Sequence, residues 1–424
     1  MSVDPILQQL RSKRILIAGY GREGRSTHAF LQQYLPGQEV TVAENDEAIR
    51  TLLQRDEYDW VVKSPGIPMR VFEGLCPRSV ITSQTDLFLS AFASQTIGVT
   101  ATKGKSTTAA LLTHVLHQAG RKVVMAGNMG IPLLDILPQI TDDTVVVAEL
   151  SCHQLESIHR APHIALLLNL YEEHLDHYKD YRDYQNAKLQ IFLRQLPGDV
   201  AVYCADHELL NERVSELRTQ IPSQLKGYHV PQHPEWQTSF PLEGSHNLGN
   251  AEAVRVALSS LDITDEQFVG ALPSFHGLSH RMERVGTFRG ITFYNDSIST
   301  IPAAAIAAVE ALREVDTLIL GGFDRGIDYS QLTRYLDAPE GLGSRVRNLV
   351  LVGQSGQRIL QLLDSSSLRN ILIENDYRAI VEWCYQHTAP GRICLLSPAA
   401  ASYDAFKNFE HRGDYFKQLV KEKE

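Results

Sequence analysis

Three successive α/β units are what this chain predicts. Short apolar runs alternate with helix-period stretches along its length, glycine-bearing loops follow some of those runs directly, and 424 residues are too many for one hydrophobic core. In the first unit, residues 1–91, the runs Ile15-Leu16-Ile17-Ala18, Val40-Thr41-Val42-Ala43, Trp60-Val61-Val62 and Val80-Ile81 alternate with polar or helical stretches, as parallel strands with crossovers do. This predicts a small Rossmann-like domain. A second α/β domain, 92–282, opens on the strand at Thr96 and carries the most unusual loop of the chain. A third, 283–424, is read from Ile291-Thr292-Phe293-Tyr294, Thr317-Leu318-Ile319-Leu320, Leu349-Val350-Leu351-Val352 and Ile393-Cys394-Leu395-Leu396, and predicts another open Rossmann-like sheet.

Composition excludes several classes of function. With 43% hydrophobic and 21% charged residues, the chain is neither disordered nor fibrous. A net charge of -10 argues against a protein that coats nucleic acid, since neutralising phosphates takes clustered Lys and Arg. Met1 to Leu10 lack a basic, apolar leader pattern and no segment is apolar enough to span a bilayer, so the expected location is the cytoplasm, with no membrane insertion. The five cysteines lack paired metal-ligand spacing and read as reduced structural thiols.

The strongest local signal is Gly98-Val99-Thr100-Ala101-Thr102-Lys103-Gly104-Lys105-Ser106-Thr107-Thr108, a tight loop between a strand and a helix-forming run from Ala109 to Leu116. Backbone N–H groups at a helix start can cradle phosphates, Lys105 can offset their charge and Ser106 can hold Mg²⁺. Gly98 sits one residue further from Gly104 than the generic pattern asks. The strand Val145-Val146-Val147-Ala148 ends at Glu149, where a carboxylate can reach a phosphate-bound cation. After the strand from Ile164 to Asn169 comes Glu172-Glu173-His174-Leu175-Asp176-His177, suited either to a second cation or proton transfer, or to a solvated helix start. Lys188, in a helical pattern from Tyr181 to Leu196, reads on residue type alone as a surface lysine. At the amino end Gly19-Tyr20-Gly21-Arg22-Glu23-Gly24, with Glu44 after the next strand, outlines a dinucleotide fingerprint; such a loop equally serves another nucleotide, or is a turn that binds nothing. An oxidoreductase and a nucleotide-dependent regulatory module therefore stand beside an enzyme of phosphoryl transfer.

Taken in order, these stretches resemble the Mur ligases of bacterial cell-wall synthesis. The resemblance spans nearly the whole chain and includes Gly127-Asn128-Met129-Gly130, Ser245-His246-Asn247, Gly277-Leu278-Ser279-His280-Arg281, Asn295-Asp296-Ser297 and Leu396-Ser397-Pro398-Ala399 through Lys407-Asn408-Phe409. It implies an ATP-dependent, cytoplasmic, monomeric ligase that phosphorylates the carboxylate of UDP-N-acetylmuramoyl-L-alanine and joins glutamate to it, with D-glutamate as the default. A ligase adding L-glutamate and a folylpolyglutamate synthase-type ligase are the alternatives. Under the resemblance, Gly19, Tyr20, Gly21, Gly24, Glu44, Ser64, Pro65, Gly66 and Asn128 serve the UDP substrate. Thr102, Lys103, Gly104, Lys105, Ser106, Thr107, Asn247, Asn250, Arg281 and Asp296 serve ATP. Ser106, Glu149, His174 and Lys188 would hold Mg²⁺ at two sites, with Lys188 carbamylated by CO₂, and Lys105, His174 and Lys188 form the catalytic set. Thr300, Arg325, Ser402 and Phe409 correspond to glutamate contacts. The chain departs from the pattern at Ala101, where the family loop has Gly, and at Ile298, where a lysine is common.

Overall fold

The computed structural model describes residues 3–128, 130–242, 244–364 and 369–423. Met129, within the Gly127 to Gly130 motif, lies outside the described residues. Three sheets appear in chain order, made from the apolar runs. The first contains β1 (Ile15–Ala18), β2 (Val40–Ala43), β3 (Trp60–Lys63) and β4 (Ile81–Thr82), all parallel, in the order β2-β1-β3-β4. The second contains β5 (Thr96–Thr100), β6 (Val123–Gly127), β7 (Val145–Glu149), β8 (Ile164–Leu167), β9 (Val200–Cys204) and β10 (Gln224–Tyr228), again parallel, in the order β10-β9-β8-β5-β7-β6.

The third contains β11 (Glu283–Phe288), β12 (Ile291–Asn295), β13 (Val315–Gly321), β14 (Asn348–Val352), β15 (Asn370–Ile373) and β16 (Ile393–Leu396), in the order β11-β12-β16-β13-β14-β15. It is parallel except for β11, which pairs antiparallel with β12. Strands buried on both faces read as unbroken apolar runs because helices cover both sides. β5, β7 and β8 are of this kind, with all but the first residue of β7 buried.

The chain divides into two compact units, Met1–Phe275 and His276–Glu424. Residues 276–282, which the sequence reading placed with the middle domain, therefore group with the last sheet. Within the first unit, one hydrophobic cluster runs from Ile6 and Phe30 through Leu87 and Val99 to Phe275, so the first two sheets share a core. Polar ties cross between them: Lys63 Nζ pairs with Glu156 Oε1 at 2.6 Å, Ser26 Oγ donates to Asp135 Oδ1 at 2.5 Å, and Asp86 Oδ1 accepts from the His159 amide at 2.6 Å. In the second unit, apolar clusters lie around Leu318 and Leu351 and around Phe293 and Phe416.

Several boundaries move. The helix after the phosphate loop starts at Lys105, not Ala109, because Gly104 ends the loop and leaves the next amides free to open a helix. The helix from Tyr181 stops at Leu193, before Leu196, and β4 begins at Ile81.

Candidate active site

β5 lies between β7 and β8, so the segments leaving their carboxyl ends meet at a topological switch point, where open α/β sheets place ligands. The phosphate loop leaves β5. Gly104 adopts φ +92°, and a Cβ there would lie 2.7 Å from Asn250 Oδ1, so this turn favours glycine and strains any other residue. That contact brings Asn250, buried on the helix Ser245–Leu258, against the loop, with Asn247 in reach of its amide at 3.4 Å. Ala101 is buried and is not among the residues with left-handed backbone, so its methyl group leaves the turn undisturbed.

Two ammonium groups converge on the carbonyl of Ala101. Lys105 Nζ donates to it at 2.9 Å and to the Thr102 carbonyl at 3.1 Å, while Lys188 Nζ donates to it at 2.8 Å. Lys188 is 2% exposed, which corrects the surface reading made from residue type. Burial pushes its ammonium down to about 7; Lys105 pushes the same way, while Cys152, Glu173 and Glu149 oppose the shift. Burial also lowers Lys105, against the pull of Glu149 and Glu173. Its neighbour Lys103 points outward to Glu173 Oε1 at 2.9 Å, while Thr102 is held by Tyr184 and by Tyr171, and Ser106 is buried at the helix start with Thr107 half-buried beside it.

Glu149 ends β7 and is 1% exposed. Its Oε1 accepts from Asn128 Nδ2 at 3.0 Å, its backbone carbonyl from the Asn128 amide at 2.8 Å, and its Oε2 is buried with no hydrogen-bond partner. Gly127 permits this double grip, since a Cβ at its φ of +113° would lie 2.2 Å from the Glu149 carbonyl. A buried carboxylate oxygen left unpaired is expensive.

The segment after β8 forms a turn instead of a helix start. His174 takes φ +60° and its carbonyl accepts from the amides of His177 and Tyr178 at 3.0 and 3.1 Å. Its half-exposed ring lies 3.7 Å from Glu173 Oε2, and burial lowers its pKa. Sequence reasoning missed His153, whose ring stacks on His177 at 4.0 Å and which burial pushes down to about 3.

The amino-terminal loop residues gather at the carboxyl ends of β1, β2 and β3. Ser64 Oγ donates to the Gly19 carbonyl at 2.7 Å, Tyr20 Oη shares a hydrogen bond with His28 Nδ1 at 2.8 Å, and Gly21 and Gly24 open the helix Arg22–Tyr34. Glu44 and Gly66 are exposed and Pro65 is half-buried. Glu23, another residue not singled out from sequence, is half-buried with its carboxylate turned inward against Gln154 Nε2 at 2.6 Å, and desolvation pushes that carboxyl up to about 7.

In the second unit, Asp296 accepts from the Met282 amide at 3.1 Å and from Ser397 Oγ at 2.7 Å, and burial raises its pKa. Arg281 stands between two left-handed residues, His280 and Met282. Arg325 Nη2 donates to the Thr300 carbonyl at 2.9 Å, Ser402 is buried, and the Phe409 carbonyl accepts from Ser297 Oγ at 2.8 Å. Arg412, 1% exposed and absent from the sequence candidates, donates to Ser297 Oγ at 2.9 Å, to the Ser297 carbonyl at 2.8 Å and to the Ala400 and Ala401 carbonyls at 3.1 and 3.3 Å. It thus ties together the strand ends that carry Asp296 and Ser402.

Residues 99–258 match the Mur ligase middle domain. Over 97% of this chain and 98% of the relative, the chain is 31% identical to the UDP-N-acetylmuramoylalanine–D-glutamate ligase of Desulfitobacterium hafniense (strain DSM 10664 / DCB-2). It is 32% identical, over 98% of the chain and 99% of the relative, to the UDP-N-acetylmuramoyl-L-alanine–L-glutamate ligase of Salinispora tropica. A solved structure of MurF from Acinetobacter baumannii shares the fold, with a TM-score of 0.59 at 15% identity over 99% of this chain and 98% of that one. A phosphate loop in such an α/β frame, with these relatives, makes the chain an ATP-dependent ligase. It belongs to the Mur ligase family, among relatives that carry the glutamate-ligase names.

Proposed function

We propose that this chain joins glutamate to UDP-N-acetylmuramoyl-L-alanine in the cytoplasm, at the expense of ATP, as a step of peptidoglycan precursor synthesis. The γ-phosphoryl group passes to the acceptor carboxylate. The glutamate amine then attacks the acyl phosphate through a tetrahedral intermediate, forming the amide and releasing phosphate and a proton. D-Glutamate is the default amino donor. The observation that carries this reading is the pair of lysines, Lys188 buried and Lys105 half-buried, on the Ala101 carbonyl beside the unpaired oxygen of Glu149, in a chain similar to such ligases over nearly its full length.

The residues present fit a divalent cation. Glu149 Oε2 lacks a partner, and the Ser106 hydroxyl and His174 imidazole supply further donors near the loop. Mg²⁺ bound there supplies charge neutralisation to the transferring phosphoryl group. Lys188 fits the site only after modification, because an ammonium repels a cation. Its burial favours the neutral amine, which adds CO₂ to form a carbamate and release a proton, and the anionic oxygens then suit Mg²⁺.

Lys105 is poised to leave the carbonyls of its own loop for phosphate oxygens, and the Gly104 turn aims helix-start amides at the same place. Asn128 fixes the orientation of Glu149. Thr102, Lys103, Thr107, Asn247, Asn250, Arg281 and Asp296 are assigned to ATP, the Gly19, Glu44 and Ser64 loops to the UDP moiety, and Thr300, Arg325, Ser402 and Phe409 to glutamate.

Purified protein given UDP-N-acetylmuramoyl-L-alanine, ATP, Mg²⁺ and D- or L-glutamate in parallel tests the reading. ADP release should require both acceptor and glutamate and match new amide product, with D-glutamate the better donor. ADP release without the acceptor, or none with it, overturns the assignment; a preference for the other enantiomer moves the chain to the activity named for the Salinispora relative. Equilibrium binding of UDP, absent from a folate ligase, separates that alternative.

A further inference from the structure

Beside the phosphate loop lies a donor set of which the ligase reaction uses only His174. Cys152 and His153 open the short helix Cys152–Leu155, directly after the β7 end that carries Glu149. One ligand atom from each of Cys152, His153 and His174 lies within 4.8 Å of the other two. The rings of His153 and His174 meet edge to face with centroids 4.8 Å apart, and the stacked His177 ring fixes His153 in place.

His153 Nε2 is buried and has no hydrogen-bond partner, and the Cys152 thiol is buried and in no disulfide. A nitrogen lone pair shut away from water without a partner is destabilising, and a cation is a partner that relieves it. Thiolate sulfur is a donor that Mg²⁺ avoids and Zn²⁺ prefers, and two imidazoles beside it favour Zn²⁺ further, so this set differs in kind from the oxygen-rich neighbourhood of Glu149 and Ser106. Drawing the three atoms to the separation of a tetrahedral thiolate and imidazole site takes a movement of about 1 Å.

We propose that Cys152, His153 and His174 bind a thiolate-preferring divalent cation of the Zn²⁺ class, its fourth position open to water or a phosphate oxygen, and that occupation withdraws His174 from the ligase site. On binding, the Cys152 thiol gives its proton to water as the sulfur–metal bond forms, and the histidines bind through neutral nitrogens. The binding stands on the cluster alone; the inhibition rests on the role given to His174 under the proposed function.

Full-length protein free of other metals is titrated with Co²⁺ as a spectroscopic stand-in for Zn²⁺. A thiolate-to-cobalt charge-transfer band should saturate at one equivalent and vanish when Zn²⁺ is added. Cys152→Ser should remove the band, His153→Phe should weaken Co²⁺ binding by at least about tenfold, and Cys76→Ser should leave the spectrum unchanged. No band in the parent protein, or a band with full affinity in His153→Phe, overturns the site, and the second variant decides should Cys152→Ser fold poorly. Zn²⁺ should also suppress ADP release in the parent, and by at least about tenfold less effectively in His153→Phe. Equal suppression in both overturns the inhibitory half, whereas an absence of ADP release before any Zn²⁺ is added marks failure of the ligase reading instead.

Discussion

Lys188 and Arg412 are both cations sealed inside the protein, one in each unit, and they are treated in opposite ways. Arg412 spends its guanidinium on Ser297 Oγ and three backbone carbonyls in a planar fork, with no salt-bridged carboxylate among the described residues. Lys188 has one good carbonyl contact at 2.8 Å, a long one to Thr100 Oγ1 at 3.4 Å, and a Tyr184 ring 5.1 Å from its Nζ. A saturated cation works as a fastener. An undersatisfied one, with an ammonium depressed to about 7 and an orphaned carboxylate oxygen nearby, is a group held ready for chemistry.

The largest effect expected from this contrast is on turnover. Lys188→Ala should lower product formation by about a thousandfold, with partial return on adding short carboxylic acids and little change in melting temperature. Activity near the parent level in that variant erases the distinction between the two cations. Arg412→Met should cost about 3 kcal/mol, read as a lower denaturant midpoint, because its carbonyl partners are left buried and unpaired. Arg412→Lys should recover little of it, since an ammonium cannot reproduce the fork.

Glu23 extends the undersatisfied class to a carboxyl group, for its Oε2 is also buried without a partner. Its folded-state pKa is raised to about 7, above an unfolded value of about 4.3. The folded protein therefore keeps a proton that the unfolded chain releases, and stability is lost as pH rises from about 4 through 7. Glu23→Gln removes that dependence. It should match the parent in urea at pH 4 and exceed it by about 2 kcal/mol at pH 8; no gain, or a loss, at pH 8 would place the group among the saturated ones. Smallest of the set, Gly104→Ala should weaken nucleotide binding by about 1 kcal/mol in calorimetry, through its positive φ and the Asn250 contact.

The phosphate loop, the first sheet and the four central parallel strands of the third were legible because buried parallel strands leave unbroken apolar runs, whereas β15, largely exposed at the sheet edge, was not. The edge strands β10 and β11 were not: Gln224–Tyr228 is polar on its open side and Glu283–Phe288 pairs antiparallel at a sheet edge. Both buried cations did leave a trace. Lys188 falls in register with buried Tyr184, Ile191 and Phe192 of its helix, and Arg412 with Phe416 and Leu419. A cation on an apolar helical stripe was the available signal, outweighed by the general exposure of Lys and Arg. The turn at His174 had no such signal, because a left-handed histidine is set by the segments around it and not by its own neighbours in sequence.

The shared core of the first two sheets has a consequence for dissecting the protein. A fragment ending at residue 91 would strip Lys63 of Glu156 and Asp86 of His159, and would lay open the apolar face around Leu87 and Phe88. Acceptor-binding measurements belong on 1–275, the compact unit that keeps every one of those partners.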